Sequence, residues 1–598
     1  MTEGAHIAGE GSSNPPGNRA PGNWPFVGAL SACAILMGAL VVAPFFVSLT
    51  RTRPGGVASF RLLSTHDLNE HLIVMDQFDK TLRSGVLYPR WLAGINGDYG
   101  NAWTNFYPPA LYYVTSAIHA VVGDWLAAVA ALCVISMAGS GVSLYVLARA
   151  FFGRGASMIA ASFYMLLPYH VLDLFWRGAL PELLGFVFLP LLIYFAFRLG
   201  NNGKLVDYAG LGLTYGLYVM THIPVAYLMT YVLAIYAITW SFREKDRRVL
   251  LRIGGGMVLG LMVCAIYLLP AALESRYAYE STSGIFPYNG SYLPALPPSD
   301  NFGDTLNHTF MLQAIALAVV LIVLRSTRRK KARPATASES HLQLWTALGI
   351  WTTLMCTPLS FYLSAVMPRT DLVAFPWRWL TVAGMFTSLL LAAAIDSVSG
   401  NTVLPKRQLV FLSAIMLVAF VNVWFTVQRV IGGTLANASD FASRPLVEEN
   451  YTPRGATSPQ QLPNTARVET EPPEGAAVEV TRWDPQRREI YVRAEQSTVV
   501  RLKTYNFPGW TARVDGSRVS WLSDREGVQR LEVSPGIHRI AVSFENTPPR
   551  TAGTIMSGLA LVAILGLILF HRVRRRGHQV SVAYQGKAEP YSEPSNSS

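Results

Sequence analysis

Apolar runs near the length needed to cross a bilayer, divided by short polar stretches, set the pattern of this chain. They predict crossings at about 24–49, 125–147, 156–171, 183–197, 205–221, 225–240, 250–269, 308–324, 342–365, 379–395, 409–427 and 553–570, about twelve in all. Two polar regions interrupt them. Within 65–113, Leu68, Leu72, Met75 and Leu82 recur at helical spacing until Gly85, predicting an amphipathic helix. A loop rich in Gly, Pro, Asn and aromatics follows, and 109–122 is apolar but brief, so it should dip into the membrane rather than span it. Near the C-terminus, a Pro-, Thr- and Glu-rich stretch at 440–475 precedes seven short β-branched and aromatic runs: 477–481, 489–493, 499–505, 511–514, 519–522, 529–533 and 538–544. Asp515-Gly516 between two of them is a hairpin turn signal.

The expected architecture is an α-helical polytopic membrane protein with a C-terminal extracytoplasmic β-sandwich before its last span. By residue, 1–23 is a disordered tail without a basic signal-peptide start, and 24–431 is the transmembrane domain with a large first external loop at 50–107. An extended connector (432–475), the β-sandwich (476–550), the last helix (551–571) and a second tail (572–598) complete it.

Composition agrees. Of 598 residues, 51% are hydrophobic and only 14% charged, where soluble domains carry about 25% charged residues. The formal charge of +12 does not point to nucleic acid, because the Lys and Arg sit in short clusters between spans. Arg149 and Arg154, Lys204, Arg243 to Arg248, Arg328 to Lys331, Lys406 and Arg407, and Arg572 to Arg576 fall on one side, which the positive-inside rule makes cytoplasmic. Both termini are then cytoplasmic in a multi-pass inner-membrane protein whose active face is extracytoplasmic. Cys33, Cys133, Cys264 and Cys356 all lie in apolar runs, with no CxxC pair or disulfide framework.

With this topology Asp67, His71, Arg177, Glu182, His222, Glu274 and Arg378 all reach the outer face, and such convergence is what a site requires. Asp67 and His71 are four apart and share one helix face. Asp67-x-x-Glu70 also reads as a capping box, which would occupy the carboxylate. His71 either orients Asp67, holds a phosphate or is a polar surface residue. Arg177 with Glu182 is either a phosphate grip or a structural ion pair. Arg378, between Trp377 and Trp379, is either a phosphate ligand or an interfacial anchor. His222 and Glu274 lie near span ends, where ionisable groups bind substrate or simply snorkel. No DxD, Walker-type loop, GxSxG or dinucleotide fingerprint is present. No cofactor is called for, and a divalent metal is compatible with the sequence without being required by it.

The order Asp67…His71, Pro89-Arg90-Trp91, Gly97-Asp98-Tyr99-Gly100 and Asn105 to Pro109 resembles the first external loop of bacterial membrane proteins labelled 6-pyruvoyl-tetrahydropterin synthase-related, a group placed with the GT-C glycosyltransferases. Phe151 to Gly155, Pro168-Tyr169-His170 through Arg177-Gly178-Ala179…Glu182, Thr221-His222, Leu269-Pro270…Glu274 and Phe375 to Arg378 resemble the same group. The label does not describe the chemistry, since no spaced His cluster would form the zinc site of a soluble pterin synthase.

The resemblance implies a GT-C-like fold and an inverting transfer of sugar from a polyprenyl-phosphate donor to a cell-envelope glycan, lipid or protein. It also implies an essential loop acid. Asp67 is that candidate, with Glu70 and His71 beside it. Arg177, Glu182, His222, Glu274 and Arg378 would bind substrate. A transporter or flippase of lipid-linked saccharide, or an envelope assembly protein, is the alternative. A transporter would place its charges near the bilayer midplane rather than at span ends.

Overall fold

The structure, a computed structural model, describes residues 24–46, 61–63, 65–279, 292–294, 301–328, 337–364, 367–369, 372–399, 421, 435–437, 447–522 and 526–585. Among these residues seven helices are long and apolar enough to cross a membrane: Trp125–Arg149, Arg154–Arg177, Leu180–Asn202, Ile223–Glu244, Phe302–Thr327, Pro376–Ser397 and Pro548–Arg574. Arg247–Val263 with Ala265–Tyr277 makes an eighth if this pair, bent by 73°, is one span.

The expectation of about twelve crossings is therefore not met among the described residues, for local reasons. Leu205–Thr221 has 17 residues, about 25 Å of helix against a hydrocarbon core of about 30 Å. Ala337–Leu354 carries Glu339 and His341 near its start. The first helix, Trp24–Phe46, is 23 apolar residues long over the expected first crossing, and its side chains are described only in part. The expected span at 409–427 lies, apart from residue 421, outside the described residues. Residues 110–122 form the short helix Ala110–Val122, closed by Gly123 in the left-handed conformation at φ +75°.

The helix from Pro376 is the hub of the bundle. Its apolar window is 89% buried, against 22% for the last helix, so whatever its first residues carry is held centrally. Leu205–Thr221 and Arg247–Val263 meet through Gly212, Gly216, Gly256 and Gly260. A Cβ on Gly216 would stand 2.8 Å from the Gly260 carbonyl, and one on Gly260 would stand 2.9 Å from that of Gly212. These two backbones touch as small-residue membrane interfaces do.

Beyond the bundle, β1 (Arg61–Leu63) pairs with β2 (Leu435–Asn437), and the C-terminal region forms two sheets. The larger has the order β4-β5-β10-β7-β8, from Ala476–Asp484, Arg487–Ala494, Gly536–Phe544, Trp510–Val514 and Ser517–Val519. The smaller has the order β3-β6-β9, from Val468–Glu471, Thr498–Tyr505 and Val528–Val533. Alternation explains the strands: along β5, Arg488, Ile490, Val492 and Ala494 point inward and the residues between them are less buried. Two differences from the sequence pattern stand out. β3 lies inside the stretch read as connector. The run 519–522 instead pairs as Ser517–Val519, because Asp515 (φ +52°) and Gly516 (φ +87°) make a tight turn that sets Ser517 opposite Val514.

These sheets do not close their core alone. Trp91, from the first external loop, is fully buried among Phe507, Trp510 and Phe544, with ring centroids 5.9, 5.7 and 5.8 Å away. Tyr99 packs on Tyr505 at 5.6 Å and accepts a hydrogen bond from the Tyr505 amide at 2.9 Å. Loop and sheets thus form one rigid platform over the helix ends.

Candidate functional site

The site begins with an interrupted helix. Pro168 starts the turn Pro168–Leu172, which widens into a π-helical turn over Asp173–Arg177. Such wide turns are rare and occur mostly at functional sites. Gly178 ends it at φ +60°, and the chain restarts at Leu180–Gly185 with Pro181 in the first turn. A Cβ on Gly178 would collide with Thr65. That close approach lets the amides of His66 and Asp67 donate to the carbonyls of Trp176 and Arg177, at 3.5 and 3.0 Å. Asp67 is therefore placed by the backbone of Arg177.

Glu182, 1% exposed, is the centre of the cluster. It accepts from Arg177 Nη1 at 2.7 Å, Tyr169 OH at 3.0 Å and Thr381 Oγ1 at 3.1 Å. Arg378 Nε lies 3.5 Å from it and His222 Nε2 3.8 Å. Arg177 also donates to Asp173 Oδ1 at 2.7 Å, and its Nη2 lies 3.9 Å from Asp67 Oδ2. Asp173 and Glu182 are buried, whereas 42% of the Asp67 side chain remains exposed. The buried carboxylates hold two guanidiniums in place, and Asp67 is the member of the cluster that meets solvent. Phe375 stacks on Trp377 at 4.3 Å, and the Arg378 guanidinium lies 5.3 Å from the Phe375 ring.

Asp67 does not use its side chain as a cap. Its backbone is already near-helical, at φ −105° and ψ −11°, and its carboxylate makes no capping hydrogen bond to the helix Leu68–Arg83. The capping-box arrangement is not formed. His71 is buried, with Nδ1 3.3 Å from Tyr112 OH. Burial pushes its pKa down to about 4, with Asp67 pulling weakly the other way. A neutral imidazole cannot hold a phosphate by charge. Glu70 still meets solvent, yet its pKa is lifted to about 7, first by partial removal from water and then by Glu448 and Asp67.

Of the sequence candidates, the structure brings Asp67, Arg177, Glu182, His222 and Arg378 together, with Glu70 and His71 beside them. Glu274 is elsewhere, which corrects its grouping with the substrate-binding residues. It bonds Arg550 Nη2 at 2.8 Å and Asn105 Nδ2 at 2.8 Å, and accepts from Thr547. Tyr169, Asp173 and Thr381 escaped the sequence reading, although Asp173 stands four residues before Arg177 at ion-pair spacing. Among the described residues no group of three or more His, Cys, Asp or Glu side chains is arranged to hold a metal ion.

A family model for the 6-pyruvoyl-tetrahydropterin synthase related domain, a membrane protein, matches residues 104–430. No curated protein matches the chain. Among solved structures it is similar to the oligosaccharyltransferase AglB of the archaeon Archaeoglobus fulgidus, in complex with an inhibitory peptide and a dolichol-phosphate. That similarity has 12% identity, 70% of this chain and 57% of AglB covered, and a TM-score of 0.37. It is also similar to ArnT from Cupriavidus metallidurans bound to undecaprenyl phosphate, with 13% identity, 63% and 79% covered and a TM-score of 0.27. The chain thus spans little more than half the length of AglB.

Proposed function

The chain belongs to the 6-pyruvoyl-tetrahydropterin synthase-related membrane proteins, and from that premise we propose that it transfers a sugar from a polyprenyl-phosphate donor to an extracytoplasmic acceptor in the cell envelope. One observation carries the reading: a solvent-reaching carboxylate, Asp67, stands beside the guanidinium of Arg177, which shares one buried glutamate with Arg378. Asp67 takes the proton of the acceptor hydroxyl as its oxygen bonds to the anomeric carbon. The bond from that carbon to the phosphate oxygen breaks, and Arg177 and Arg378 stabilise the departing polyprenyl phosphate. Glu182 keeps both cations aimed, and neutral His71 fixes the first turn that carries Asp67. In this reading the basic clusters and both termini are cytoplasmic, and the site and sheets lie outside.

The test is transfer by the full-length protein, supplied with a polyprenyl-phosphate sugar and an envelope glycan. Asp67→Asn loses no capping bond, because none is formed. It should remain folded while losing about 10²–10⁴-fold in rate. Near-normal transfer by Asp67→Asn would remove Asp67 as the base and pass the role to Glu70.

A further inference from the structure

The two sides of Asp67 differ chemically. On one side stand Arg177 and Arg378, with Phe375 and Trp377, at the ends of membrane helices. On the other, an aromatic row runs outward from His71. Tyr107 lies 5.7 Å from the His71 ring, Trp103 lies 5.4 Å from Tyr107, and Tyr451 lies 5.6 Å from Trp103 while stacking on Phe106 at 5.5 Å and 23°. Trp103 is buried, but Phe106, Tyr107 and Tyr451 keep part of their surface in solvent. Two acids accompany this row: Glu70 from the loop helix, and Glu448, whose charge acts on Glu70.

Tyr451 and Glu448 come from a strap that the chain lays across the external loop. The Glu448 amide donates to Asn96 Oδ1 at 2.7 Å, and Asn101 Nδ2 donates to the carbonyls of Asn450 at 2.9 Å and Glu448 at 3.3 Å. The Tyr451 amide donates to the Tyr279 carbonyl at 2.7 Å, and the Tyr279 amide returns a bond to Thr452 at 2.8 Å. Asn96 and Asn101 are buried amides spent on holding this backbone. At the middle of the strap Tyr451 has φ +65°, a left-handed conformation that bulky side chains avoid. A strained bulky residue held by bonds on both sides marks a place where ring position matters more than backbone ease.

A guanidinium pair attracts an anion, while a row of partly open rings beside two carboxylates repels one. Rings stack on the apolar faces of sugars, and carboxylates accept bonds from hydroxyls. We propose that the strap 448–453 and the aromatic row from Trp103 to Tyr107 form the acceptor subsite, with Tyr451 as its specificity-determining ring, and that the acceptor presents a neutral sugar ring there. The inference rests on the transferase reading for its consequence, but the binding it requires is measurable without transfer.

The probes are neutral pentose and hexose oligosaccharides and a Ser/Thr-rich hexapeptide, each offered to the full-length protein in detergent. Binding is read by saturation-transfer NMR, and acceptor and donor KM by transfer. Wild type should bind an oligosaccharide and not the peptide. Tyr451→Ala should raise acceptor KM tenfold or more with donor KM within twofold, and Tyr451→Phe should restore it. Glu448→Gln leaves the backbone bonds of the strap in place and should raise acceptor KM severalfold. If no acceptor is glycosylated while an oligosaccharide binds and Tyr451→Ala abolishes binding, the transferase reading fails and the subsite stands. Absence of oligosaccharide binding, saturation by the peptide instead, or an unchanged acceptor KM in folded Tyr451→Ala and Glu448→Gln would overturn the subsite.

Discussion

Replacing Arg550 by Met should loosen the loop-and-sheet platform from the helices without touching the site. Arg550 is fully buried and Glu274 is 2% exposed. The guanidinium gives Nη2 and Nε to one carboxylate oxygen at 2.8 and 3.1 Å. It also donates to the carbonyls of Pro508 at 2.8 Å and Glu545 at 3.2 Å. Asn105 and Thr547 complete the partners of Glu274. One ion pair thus joins the external loop, the bent helix pair, the turn before β7 and the start of the last helix. With Arg550→Met, Glu274 keeps its neutral donors and the nearby Arg90 but loses the guanidinium bonded to it, and breaking a buried pair costs about 3–5 kcal/mol. Arg550→Met with Glu274→Leu removes both ions and should cost less than the sum of the two single changes. What remains of the loss comes from the unpaired Asn105 amide and Pro508 carbonyl, at about 1–3 kcal/mol each. Several regions need not unfold together, so the assay is native-state hydrogen exchange of residues 88–106 and 507–514 in detergent. Exchange in Arg550→Met within about 0.5 kcal/mol of wild type, or strict additivity in the double mutant, would refute the argument.

Two further outcomes follow from the site. His71 is neutral when folded because burial lowers its pKa from 6.5 to about 4. Below pH 6.5 the unfolded chain takes up a proton that the folded one refuses, so stability present above that pH is lost progressively down to about pH 4, by roughly 3 kcal/mol. Chemical denaturation at pH 7.5 and 4.5 should show this loss reduced in His71→Gln, and an identical pH slope would contradict it. Gly178→Ala should place a side chain in the left-handed region, at about 1–2 kcal/mol, and against Thr65. Transfer should fall although Asp67 and Arg177 are both intact, and unchanged activity would show that the close approach of the two segments is not needed.

Much of the cluster was legible because it depends on depth alone. Arg177, Glu182, His222 and Arg378 sit between successive helices at one end of the bundle, and counting apolar runs finds such turns. Glu274 was misgrouped for the same reason, since a span count gives depth and says nothing of position around the bundle. The capping box at Asp67 was a sound local pattern. It is not formed because two backbone bonds to Trp176 and Arg177 fix the chain just before the helix. Likewise β3 was hidden, since Val468–Glu471 alternates charge with β-branched residues in a Pro- and Glu-rich setting, and its pairing to β6 is a long-range fact. Of the expected spans that are described, 205–221 is a short helix and 250–269 is divided at Cys264, whereas 409–427 lies almost wholly outside the described residues.

The burial of Trp91 among Phe507, Trp510 and Phe544 has a consequence for biogenesis. Its partners are made roughly 400 residues later, about 20–80 s at ordinary elongation rates. Throughout that interval the loop carries a large indole with no core to receive it. The platform that holds the Asp67 loop can close only after the last strands emerge, so maturation of this protein is gated by its C-terminus.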